Sequence, residues 1–129
     1  MANAVPFSDA DERKKDAILD AFRAEFELHY VDFGDDDTAI LSFIRYEGIS
    51  DSQANGVIEP AEGIIIGQVL VEEFGCEWCA LESNGSRQLA INHEKLPEPL
   101  NLEVFRWSKA KQIIPKRWFT RLKQLIPNG

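Results

Sequence analysis

Ile18, Phe22, Phe26 and Tyr30 recur every fourth position in an otherwise charged stretch, DERKKDAILDAFRAEFELHY. That spacing lays one apolar stripe along a helix, with Leu19 beside it. Ser8 or Asp9 is placed to cap its start, where the acidic residues also suit the helix dipole. The run from Asp32 through Asp37 ends the pattern. Thr38 opens a shorter segment, TAILSFIRYEGI, in which Ile40, Leu41 and Ile44 favour a second helix over a strand. After the polar stretch SDSQANG, the most apolar part of the chain predicts a third helix over Glu59–Phe74. Pro60 then falls in its first turn and Gly75 just past its end. Its apolar residues cover most of the circumference and leave a narrow polar arc, which marks a central helix buried on most sides.

Within that helix, Gly63 and Gly67 stack on the side of Ile66, Leu70 and Phe74. Each costs about 1 kcal/mol in helix propensity, a cost explained if another stretch of backbone crosses very close. Glycines that cradle phosphate belong in a loop before a helix, not inside one. Next, CEWCALES, Asn84-Gly85 and SRQLAINH read as a β-hairpin closed by a type I′ turn. Counting outward from the turn sets Ser83 opposite Ser86, Glu82 opposite Arg87, Ala80 opposite Leu89 and Trp78 opposite Ile91. Trp78, Ala80, Leu89 and Ile91 then share one face and Glu82 meets Arg87 with opposite charge, an agreement that a one-residue slip destroys. NLEVFRW, Asn101 to Trp107, alternates like a third strand. Ser108 is placed to cap a short helical turn that Pro115 interrupts, and Lys116–Ile126 forms a last helix.

The fold class these elements predict is α+β, in a single domain over 1–129. A small antiparallel three-stranded sheet (about 76–82, 87–93 and 101–107) packs on the central glycine-containing helix, flanked by N-terminal helices and a basic C-terminal helix. The expected core anchors are Phe22, Phe26, Ile66, Leu70, Phe74, Trp78, Leu89, Ile91, Val104, Trp118 and Leu122.

Charge sharpens this picture. All 22 acidic residues lie at or before Glu103, while seven of the 14 basic ones lie from Arg106 onward. The body therefore carries −15 and the tail +7. Such a body repels nucleic acid and anionic lipid and attracts basic partners. The tail is expected to fold against it and neutralise part of it. No apolar run approaches the length of a transmembrane helix, and the first residues do not form a signal-peptide core. A cytoplasmic location is expected, with both cysteines as thiols.

Candidate chemistry is sparse. Cys76-Glu-Trp-Cys79 follows a helix and begins a strand, so it lacks the helix N-terminus that activates a redox thiol. On a strand its two thiols point to opposite faces, and no second pair completes a metal site. His93 falls across from Cys76 in the hairpin register, which makes a Cys–His site the alternative reading. Asp32, Asp35, Asp36 and Asp37 lack the alternating spacing and distal Glu of a calcium loop, and read as a solvated acidic surface. No metal and no cofactor is expected.

Ala61–Ile114 resembles a family of small bacterial domains of unknown function. The resemblance rests on Glu62-Gly-Ile-Ile-Ile-Gly-Gln-Val-Leu70, Phe74-Gly-Cys-Glu-Trp78, Asn84-Gly85, and Val104-Phe105 followed by Lys109 and Lys111. It implies the GxxxG helix, Glu-Trp strand and hairpin in succession, and carries no active-site residue. Similar acidic folds occur among bacterial immunity proteins that neutralise toxins. Together these features suggest a non-enzymatic domain whose acidic surface, at Asp32 and Asp35–Asp37, engages a basic protein partner in the manner of an immunity protein or inhibitor. A ligand-binding or hydrolytic site at Cys76 and His93 is the alternative. A subunit that forms a homodimer is a third reading.

Overall fold

The computed structural model describes residues 3–29 and 52–125. Asp32, Asp35, Asp36 and Asp37, the expected second helix, and the side chain of Phe26 lie outside the described residues. Strand β1 (Asn3–Pro6) is followed by helix α1 (Asp9–His29) and helix α2 (Ser52–Phe74). The hairpin β2 (Glu77–Ser83) and β3 (Ser86–Asn92) comes next, then β4 (Leu100–Asn101), α3 (Trp107–Ile113) and α4 (Lys116–Leu125). The class is α+β, with an antiparallel sheet in the order β1-β2-β3-β4.

Helix α1 begins as its sequence dictates. Ser8 Oγ accepts a hydrogen bond from the Asp11 backbone N–H, and the Asp11 carboxylate accepts from the Ser8 N–H at 2.8 Å, a reciprocal cap. Leu19 and Phe22 are buried, and α1 packs against α2. The hairpin register agrees with the expected one at every pair counted from the turn. Asn84 (φ 53°) and Gly85 (φ 80°) take the left-handed conformations that a type I′ turn demands. Ala80, Leu89 and Ile91 are fully buried, and Leu89 and Ile91 join the main core cluster with Trp78 packed against it.

The third strand departs from expectation. Pairing stops at Asn101, the chain turns, and α3 starts at Trp107. Leu102 N–H still donates to Leu89 O at 2.9 Å, but the Leu89 N–H finds the carboxylate of Glu103 at 2.7 Å where a ladder carbonyl would otherwise lie. Asn101 Oδ1 accepts from the Glu103 N–H, an Asx turn that bends the chain away. Buried positions are therefore Leu102 and Phe105, and Val104, expected in the core, is 59% exposed. Segment 102–105 instead crosses α2 at its glycines. A Cβ on Gly63 would sit 2.0 Å from Leu102 O and 2.9 Å from Phe105 O, and one on Gly67 would meet Leu102 Cδ1 at 2.5 Å.

Two further boundaries differ. Helix α2 begins at Ser52, so Pro60 lies inside it and not in its first turn. A proline there removes one N–H and its hydrogen bond, a loss that 23 residues of helix absorb. Helix α3 is capped from another element: the buried Glu62 of α2 accepts from the Trp107 N–H at 2.6 Å. At the sheet's other edge, β1 is a fourth strand that the apolar pattern does not announce, its Pro6 tolerated because the outer edge has no ladder to complete.

Candidate functional site

Where the hairpin opens, α2 ends at Phe74 and Gly75 turns with φ 76° into Cys76 and β2. The register that places Glu77 opposite Asn92 brings the start of β2 beside the end of β3. Gly75, Glu77, Asn92, His93 and Glu94 line an open cleft of about 310 Å³ there. Glu77 and Glu94 are exposed, and among the described residues neither forms an ion pair.

His93 is held from two sides. Its ring meets Trp118 of α4 edge-on at 4.7 Å between centroids, and its Nδ1 accepts the Lys95 backbone N–H at 3.0 Å. With Nδ1 occupied as an acceptor, Nε2 is the ring's donor. Its own backbone N–H donates to Asn92 Oδ1 at 2.9 Å. The two exposed carboxylates are the acceptors of this wall, while the imidazole Nε2 and the Asn92 amide NH2 present donors beside them. The carboxylates suit an ammonium or guanidinium group.

Cys76 lies just below this wall and is 3% exposed. Burial pushes its thiol up to about 11, against the direction a nucleophile requires. No hydrogen bond among the described residues joins it to His93. Cys79 is likewise a buried free thiol, raised by burial and then by the charge of Glu77. Among the described residues no group of three His, Cys, Asp or Glu side chains could hold a metal ion. No described helix is long and apolar enough to cross a membrane.

Of the residues the sequence singles out, the structure places His93 in the cleft wall and Cys76 beneath it, while the four aspartates lie outside the described residues. Glu77 and Glu94 are lining groups that residue type and motif spacing do not mark. The signal for them is the register itself, since counting back from Asn84-Gly85 carries 77 and 94 to the same end of the hairpin.

The strongest electrostatic assembly elsewhere is architectural. Arg87 of β3 donates from Nη2 to Asp11 at 2.7 Å and to Pro6 O at 2.9 Å, and from Nη1 to Glu82 at 3.2 Å. The Arg87 hydrogen bond is the main cause holding the Asp11 carboxyl at about 2, opposed by burial and helped by Ser8. Beside it, Lys14 donates to Glu103 at 2.6 Å, so α1 is tied both to the sheet and to the turn after β4.

No family model matches the chain, and no curated protein does. A crystal structure at 1.50 Å of a protein from Bacteroides thetaiotaomicron VPI-5482 superposes with a TM-score of 0.63 over 99% of this chain, at 17% identity. The likeness is one of fold. The chain covers 48% of that protein, about half its length, and the match shows this arrangement of helices and sheet in a bacterial protein.

Proposed function

We propose that this chain is a non-enzymatic binding domain that engages a basic segment of a protein partner, and that the segment's cationic side chains enter the cleft between Glu77 and Glu94. The observation that carries this reading is the pair of exposed carboxylates, without an ion pair among the described residues, that line an open cleft beside an oriented imidazole. The −15 charge before the tail supplies the long-range attraction, which raises the rate of encounter with a basic surface more than it raises affinity. Asp32, Asp35, Asp36 and Asp37 are further acidic residues that the basic partner engages in this reading. An immunity or inhibitor role is its specific form, in a reducing cytoplasm where Cys76 and Cys79 stay as thiols.

The test uses a fluorescein-labelled arginine- and lysine-rich peptide, followed by anisotropy at low and raised salt. Wild-type protein is expected to bind it with marked salt dependence. Glu77→Lys with Glu94→Lys is expected to lower affinity about tenfold, and reversal of Asp35, Asp36 and Asp37 to act through the association rate. If both variants keep the wild-type affinity and salt slope, the acidic surface is not the binding surface.

A further inference from the structure

The basic tail docks on the body by its apolar side. Trp118 and Leu122 enter the core, with Phe119 and Leu125 packed against it. Its cations do not follow. Among the described residues, the only ion pair made by α4 is Arg121 with Glu73, at 3.9 Å between two exposed side chains. Lys109, Lys111, Lys116, Arg117 and Lys123 are exposed and carry no ion pair among the described residues. Among the described residues these five cations take no part in the neutralisation expected from the sequence.

These cations are not scattered. Lys116, Phe119, Thr120 and Lys123 fall at successive i, i+3, i+4 and i+7 positions of α4 and form one stripe. With Lys111 of α3 and Gln124 they line an open groove of about 630 Å³. Its floor is aromatic: Phe119 is half-buried against Trp107, with centroids 5.5 Å apart, and Lys123 Nζ stands 5.8 Å from the Phe119 ring. Three lysines around an apolar floor match a short chain that alternates carboxylates with an apolar side chain.

We infer that this groove is a second docking surface, opposite in sign to the cleft, and that it takes an acidic peptide segment of a protein partner, seating an apolar side chain on Phe119 between Lys111, Lys116 and Lys123. Charge complementarity selects the class. A polyanion of nucleic-acid length, or an anionic bilayer, extends past a groove of this size into the field of a body carrying −15. A short acidic segment keeps its charge within reach of the three lysines. The apolar face that α4 would need to lie in a membrane is already spent on the core.

The experiment is anisotropy of a labelled peptide of glutamates with one central leucine, added to the full chain at low and raised salt. Wild-type protein is expected to bind it, more weakly as salt rises. Lys116→Glu with Lys123→Glu should lower affinity about tenfold or more, and Arg117→Glu, outside the groove, by less than about twofold. Glu77→Lys with Glu94→Lys should leave this binding intact, so the test stands apart from that of the cleft. Failure of the wild type to bind, or equal loss with Arg117→Glu, overturns the inference. So does preferential binding of single-stranded DNA or of phosphatidylserine vesicles that the double reversal abolishes. A dimer in sedimentation that the same reversal dissociates overturns it in favour of a second copy of the chain.

Discussion

Replacing Gly63 by alanine tests the crossing on which the fold turns. On an exposed helix, Gly→Ala stabilises by about 0.5–1 kcal/mol, because the unfolded chain loses freedom. Here the new Cβ lands 2.0 Å from the Leu102 carbonyl oxygen, while an unstrained contact needs about 3.5 Å. One of the two backbones must therefore give by about 1.5 Å. Neither is loose. Leu102 is fully buried and donates to Leu89 O at 2.9 Å, and the neighbouring Glu103 carboxylate holds the Leu89 N–H. Overpacking of this kind costs about 1–3 kcal/mol, and a weakened ladder bond adds about 1. After the propensity gain, a net loss of roughly 2 kcal/mol remains, or some 6–10 °C in Tm for a domain of this length. Gly67→Ala should be milder, since its Cβ meets the end of the Leu102 side chain, which can rotate. Urea titration with an unchanged m-value is the assay. If Gly63→Ala is as stable as wild type or more so, propensity has won and segment 102–105 does not cross α2 there.

Acid should weaken the protein through Asp11. Its carboxyl titrates near 2 when folded and near 3.8 when free, so the stabilisation is whole above about pH 5 and is lost as pH falls through 4 toward 2. Tm measured across that window should fall less steeply in Arg87→Ala than in wild type; an unchanged slope would detach Asp11 from Arg87. Cys76 should resist iodoacetamide at pH 8 in the native state and react on unfolding, because its thiol is buried and raised to about 11. Rapid native alkylation by mass spectrometry would reopen a nucleophilic site with His93. Gly85→Ala should destabilise by about 1 kcal/mol, since φ 80° strains any residue with a Cβ, and an unaltered denaturation midpoint would contradict the turn geometry.

The hairpin was legible because Asn84-Gly85 admits one register, and that register puts Trp78, Ala80, Leu89 and Ile91 on one face. The glycine pair was legible as a close crossing because stacked glycines in a buried helix have few other uses. What crosses was not, since NLEVFRW alternates like a strand and nothing local says that the Glu103 carboxylate replaces the next ladder carbonyl. Strand β1 escaped notice for a different reason. Four residues ending in proline carry almost no periodicity, and their partner lies far along the chain. At the candidate site, His93 and Cys76 stood out by residue type, whereas Glu77 and Glu94 gain meaning only from the end of the hairpin they share. The tail's charges were plain in the sequence, but that Lys116, Arg117 and Lys123 form no ion pair among the described residues depends on which side of α4 faces inward.

The pairing of Asn3 with Glu82 also sets an order of events during synthesis. Of the described strands, β1 is made first and is among the last that can be seated, since β2 is made long after it. Until then the outer edge of β2 presents unpaired amides and carbonyls, an open template for strand addition. The Arg87 clamp onto Asp11 and Pro6 O closes that interval, drawing α1 and its leading strand onto the finished hairpin. While it is open, the same edge is equally complementary in sequence to the Asn3–Pro6 of a neighbouring copy. The short tether between β1 and α1 holds the strand near its own edge, so the expected outcome is intramolecular closure, with exchange of β1 between copies as the competing event while the edge is open.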